Sequence, residues 1–269
     1  EWPEEGRIVL RRLRDQMPVS FIRVKDPTVR ALKLLRGEVD LLQNDLPTEI
    51  VQHLAKQGMK VEQRHGSNFS YLGFNLEDVT TGQQVVREAI AYALDRQAII
   101  HYLFADGAQL ATSLLPPSHW AGHPALAPYP YQPEKARQLL ASIGVDQQNP
   151  LHISYKTSSD PFRIRLATVI QHQLAEVGIQ VDVQSYDCGT FYGDIKKGVF
   201  QMFSLSWVGI KTPDIYRYVF HSEAMPPNGA NRGRYANPQV DRMIDAAEGA
   251  ATLAGRIEAY RILQQQVFA

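Results

Sequence analysis

The residues best suited to chemistry lie in one run near the end of the chain, Ser204-Leu205-Ser206-Trp207-Val208-Gly209-Ile210-Lys211-Thr212-Pro213-Asp214. Its first part has strand character and delivers a tryptophan and a glycine into a polar loop. Ligands bind preferentially in such loops, at strand ends of α/β layers. Two readings stand for Trp207: an apolar core anchor, or a ring stacking on a planar or apolar part of a ligand. Two also stand for Lys211: toward solvent, or into a site where it would meet a carboxylate or phosphate. Asp214 has the type and position of a cap for the short aromatic helix expected at 215–220.

Other constellations are weaker. The sequence has no G-x-S-x-G elbow, phosphate-binding glycine loop or H-E-x-x-H helix. His119 and His123 are four apart, but Pro117, Gly122 and Pro124 deny them the helix that would align two metal ligands. His53, His101 and His172 fall on separate expected helices, and Asp40, Asp95, Asp182 and Asp214 are scattered rather than paired. No nucleophile, base and oxyanion donor come together. The sequence therefore reads as a non-enzyme with no cofactor or metal. The single cysteine, Cys188, excludes an internal disulfide and a cysteine-based zinc site.

The elements that position these residues follow from pattern. Aspartate-proline pairs, Asp26-Pro27 and Asp160-Pro161, cap helices that end at Gly37 and Gly178, and Asp45 with Pro47 repeats the signal for a helix closed by Gly58. Strands are expected near 7–13, 20–25, 39–42, 59–63, 69–76, 151–155, 179–184 and 200–205. Helices are expected over 83–104, broken near Asp95, and over 133–144, 190–197, 238–247 and 253–268. Five prolines between Leu115 and Tyr131 exclude helix and strand interior there. Alternating strands and helices define an α/β fold.

Composition sets outer limits. The 269 residues are 44% hydrophobic, enough for a real core. Lysine plus arginine equals aspartate plus glutamate at 28 each, so the chain lacks the overall basic charge of a nucleic-acid binder, although a local patch stays open. Its longest apolar runs fall far short of the ~20 residues that span a bilayer. The chain opens on Glu1-Trp2-Pro3 and stops within a helical pattern at Val267-Phe268-Ala269. It is expected to be a fragment, and the lack of a targeting signal carries no information.

A series of colinear motifs resembles one family. They are Leu34-Leu35-Arg36-Gly37-Glu38-Val39-Asp40, Tyr71-Leu72-Gly73-Phe74-Asn75, the run Val86-Arg87-Glu88-Ala89-Ile90-Ala91-Tyr92-Ala93-Leu94-Asp95-Arg96, and Leu115-Pro116-Pro117. Tyr129 to Ala136, Leu174 to Ile179 and Tyr235-Ala236-Asn237-Pro238-Gln239-Val240-Asp241 continue the order. Together they resemble the family 5 extracellular solute-binding proteins of ABC importers, the dipeptide, oligopeptide and nickel binders.

The resemblance implies a type II periplasmic-binding-protein lobe, a mixed sheet flanked by helices. Residues 1–75 would be an incomplete part of a first lobe with the crossing between lobes, and 76–269 a second ligand-binding lobe cut at its C-terminal end. It implies a periplasmic or surface-tethered receptor that passes a peptide-like or other small solute to membrane permease subunits, without nucleic acid. A ligand-sensing domain of a regulator is the alternative. The expected ligand-binding residues are Asn75, Trp207, Val208, Gly209, Ile210, Lys211 and Asp214.

One departure matters. Peptide-binding members carry an aspartate three residues after the matching tryptophan, where it holds the peptide's α-amino group; here that position is Ile210. A ligand ammonium left there without its partner loses about 3–5 kcal/mol, enough to erase micromolar affinity. Peptides with a free amino end are therefore disfavoured; if Lys211 points inward, the expected ligand carries a carboxylate or phosphate near Trp207, as amino-blocked peptides, modified amino acids or opine-like compounds would.

Overall fold

A computed structural model of the chain describes residues 5–43, 46–62 and 66–268. It divides into two compact units between residues 64 and 65.

The first unit holds a hairpin and two helices. Strand β1 (Arg7–Arg11) pairs antiparallel with β2 (Pro18–Ile22), Arg7 opposite Ile22 and Arg11 opposite Pro18. Helix α1 (Pro27–Leu35) starts where Asp26 Oδ1 accepts the Val29 amide at 2.8 Å, the cap its sequence calls for. Helix α2 (Thr48–Lys56) follows, and the Asp45 cap expected for it lies outside the described residues. Leu10, Val19, Phe21 and Ile22 of the hairpin are all exposed. Residues 39–42 and 59–62 are irregular rather than the strands expected there, and Gln63 lies outside the described residues. A β-rich tetrapeptide becomes a strand only against a partner edge, and among the described residues β1 and β2 pair solely with each other.

The second unit is built on a four-stranded mixed sheet, order β3-β6-β4-β5. Strand β3 (Phe69–Phe74) runs antiparallel to the later strand β6, placing Phe69 opposite Trp207 and Phe74 opposite Met202. Helices α3 (Gln84–Ala93) and α4 (Arg96–Phe104) come next, broken at Asp95, whose Oδ1 accepts the Ala98 amide at 2.9 Å. Helix α5 (Pro133–Ala141) follows the proline-rich segment. Strands β4 (Leu151–Ser158) and β5 (Ile179–Tyr186) are parallel and joined by α6 (Pro161–Ala175), capped by Asp160. Helix α7 (Cys188–Lys197), capped by Asp187, leads to β6 (Met202–Trp207) on the other side of β4. The chain ends in α8 (Ile215–Phe220), α9 (Pro238–Gly249) and α10 (Leu253–Phe268).

Three apolar clusters hold this unit. Val86, Ile90, Leu140, Ile170, Leu174 and Ile153 join α3, α5 and α6 to one sheet face. Phe191 and Ile195 of α7 pack on Phe203 of the opposite face. Tyr216, Val240, Ile244, Tyr260 and Leu263 form a third cluster among α8, α9 and α10. Because β3 is built into this sheet, residues 69–74 belong with the second unit.

Candidate functional site

Strand alternation places Tyr71 with Phe203 and Leu205 on the face toward α7, and Trp207 continues that row at the end of β6. Aromatic rings gather around Trp207. Tyr71 lies nearly parallel to it at 6.4 Å, Phe69 stacks on Tyr71 at 6.3 Å, and Tyr218 of α8 meets it edge-on at 6.0 Å. The guanidinium of Arg232 lies 4.6 Å from the centre of the Trp207 ring. Its Nη1 donates to Tyr71 Oη at 2.9 Å and its Nη2 to Tyr192 Oη at 3.0 Å. Arg232 also lies 5.3 Å from the Tyr192 ring, which carries Lys196 Nζ at 4.8 Å.

The segment bearing Arg232 is held rigidly. Asn231 is buried, donating from Nδ2 to the carbonyls of His221 and Tyr235 at 3.1 and 2.7 Å and accepting the Tyr235 amide on Oδ1 at 3.0 Å. The Gly233 carbonyl accepts the Leu76 amide at 2.9 Å. Residue 233 has to be glycine for this approach, since a Cβ there would stand 2.9 Å from the Phe74 carbonyl oxygen. Burial pushes the Tyr71 hydroxyl above its ordinary pKa, against the opposing pull of Arg232, so the hydroxyl keeps its proton at neutral pH.

The expected site residues separate. Trp207 is half-buried and carries Arg232 on its ring, and Val208 is 79% exposed. Gly209 adopts φ +68° and donates its amide to Asn68 Oδ1 at 3.0 Å. Ile210 is buried in the α8–α10 cluster, where its role is packing. Lys211 is exposed, and its carbonyl meets His119 Nε2 at 3.0 Å. His119 Nδ1 accepts the Ala121 amide at 3.1 Å, which puts the ring proton on Nε2 and makes that atom the donor to Lys211. Asp214 stands at the N-cap of α8, but its exposed side chain makes no capping hydrogen bond.

Asn75 lies at the other end of β3, about 20 Å from the Phe69–Trp207 pair at the usual strand rise. Its side-chain Nδ2 donates to the carbonyls of Gly198 and Phe200 at 3.2 and 3.1 Å. It lines a cavity of about 410 Å³ with Asp78, Ser154, Lys156 and Gln201. There Lys156 Nζ meets Asp194 Oδ2 at 2.7 Å, and Asp78 Oδ1 accepts the amides of Thr80 and Thr81, both at 2.9 Å. Arg232 and Tyr192 escaped the reading of the sequence, since each lies far along the chain from Trp207.

The fold, an α/β unit with a mixed sheet flanked by helices, is that of the type II periplasmic binding proteins. Residues 17–225 match the model of the bacterial extracellular solute-binding proteins, family 5 Middle, and the chain belongs to that family. It is 26% identical over 243 residues to the dipeptide-binding protein of Escherichia coli strain K12, covering 89% of this chain and 45% of that protein. It is also 26% identical over 254 residues to heme-binding protein A of Haemophilus influenzae, covering 93% of this chain and 46% of the relative. The putative peptide-binding protein AppA of Clostridium difficile superposes with a TM-score of 0.85 at 20% identity, over 100% of this chain and 57% of that structure. The chain thus spans about half the length of the curated relatives it matches.

Proposed function

We propose that this chain is the ligand-holding part of a substrate-binding component of an ABC importer, which captures a peptide-like or other small solute outside the cytoplasmic membrane and delivers it to permease subunits. The supporting observation is family membership over residues 17–225, joined to an aromatic cradle at the sheet end where α/β proteins place ligands. Relatives at similar identity are named for a dipeptide in one case and heme in another, so family membership leaves the ligand class open. Both names denote binding rather than catalysis, which supports a non-enzymatic role. No helix among the described residues is long and apolar enough to cross a membrane, which fits a receptor that works beside membrane-embedded partners.

Of the residues expected at the site, Trp207 with Val208 and Gly209 remains in the proposed wall. Lys211 and Asp214 belong to its exposed rim. The test is native mass spectrometry of the intact protein from its host, paired with solute uptake by a strain lacking the gene. A discrete co-purified small molecule whose uptake fails in that strain is the expected result. Unchanged uptake of every captured solute overturns the reading.

A further inference from the structure

We infer that Arg232, presented by Trp207, Tyr71 and Tyr192, is the anchor for an oxyanion on the captured solute, a carboxylate or a phosphate; this rests on the solute-capture reading above. Fixing a long cationic side chain in one geometry costs it rotamer freedom. Arg232 is fixed at both terminal nitrogens and against two rings. Yet among the described residues no carboxylate lies within ion-pair distance of it or of Lys196, the second cation on Tyr192. Nearby cations differ in this respect, for Arg234 Nε meets Glu77 at 3.4 Å.

The hydrogens say the same. Each tyrosine oxygen accepts from the guanidinium and still has its own proton to donate. Arg232 has five N–H donors and no acceptor, so the free hydrogen-bonding capacity of the trio is mainly donating. A carboxylate or phosphate oxygen complements that set, whereas an ammonium meets donors and like charge. The raised Tyr71 pKa keeps its proton available at neutral pH. Trp207 then acts by fixing the guanidinium from beneath, and the anion preference expected at the exposed Lys211 moves to Arg232.

The test is calorimetric titration of the intact protein with N-acetyl-Met-Leu, its C-terminal amide and inorganic phosphate. The acid should bind at least about tenfold more tightly than the amide, the scale of one charge-assisted contact. Arg232→Gln should remove that difference, while Arg232→Lys and Tyr192→Phe should each reduce it. Competition by phosphate against the acid identifies the oxyanion alone as sufficient; its failure to compete narrows the assignment to a carboxylate. Equal binding of acid and amide overturns the inference, as does an acid-to-amide ratio untouched by Arg232→Gln. Binding of none of the anionic probes overturns it too. The solute-capture reading survives each of those results and stands or falls on co-purification and uptake.

Discussion

Two cations flank α7, and the helix treats them oppositely. Lys156 is buried, paired with Asp194 at 2.7 Å and 5.3 Å from the Tyr186 ring. Arg232 takes Tyr192 from the same helix and has aromatic and phenolic neighbours but no acid among the described residues. An internal carboxylate satisfies a buried charge within the protein and leaves nothing for a ligand. Aromatic faces and phenol oxygens hold a cation in place by about 0.5–2 kcal/mol without neutralising it. The first arrangement is structural, and its lysine lines the polar cavity at one end of β3. The second keeps a positioned charge available at the other end.

The largest effect that would sharpen this contrast is Asp194→Ala. It strands the Lys156 ammonium beside its cavity and should destabilise the protein by about 2–4 kcal/mol, somewhat less than for a fully buried pair because Asp194 retains 25% exposure. Chemical denaturation measures it, and a loss below about 1 kcal/mol would place the pair with ordinary surface contacts.

Alkaline unfolding comes next. Burial pushes the Tyr155 hydroxyl up to about 12, with Ser204 and Arg163 pulling the other way. A folded-state pKa raised above the unfolded value near 10 contributes stability that is complete below about pH 10 and disappears as the pH rises toward 12. That loss should total roughly 2–3 kcal/mol, and Tyr155→Phe should flatten the stability profile over this window.

Arg232→Gln is the direct attempt to break the comparison. Its expected cost in stability is less than about 1 kcal/mol, since an aromatic-held, half-exposed cation contributes little to folding. A loss as large as that of Asp194→Ala would make Arg232 a structural residue like Lys156. The smallest effect belongs to Lys211→Glu. With an exposed side chain screened by solvent, it should change affinity for an anionic probe by less than about twofold at physiological salt. A tenfold loss there would return the anion site to the loop after Trp207.

Local signals carried much of this architecture. Asp26 and Asp160 each accept an amide at the helix starts their aspartate-proline pairs call for, because capping needs only a side chain and the next few residues. The β4–α6–β5 unit was legible because its apolar periods of two and of three to four residues are properties of neighbours in sequence. Trp207 was legible as the end of a strand.

Pairing and convergence were settled elsewhere. The segments at 39–42 and 59–62 have strand-like residues but no strand beside them among the described residues. Ile210 stands in the loop with Lys211, yet it points into a core made by helices further along the chain. Arg232 reaches Trp207 only because β3 pairs with β6, and the turn after Asn231 returns to hydrogen-bond the backbone just beyond β3. The sequence alone determined which stretches are helices, most of the strands and the strand end that delivers Trp207, since these depend on propensity, capping and period. Which cation sits over that tryptophan, and that no acid among the described residues accompanies it, depends on contacts between residues 71, 192, 207 and 232, and only the tertiary structure could decide that.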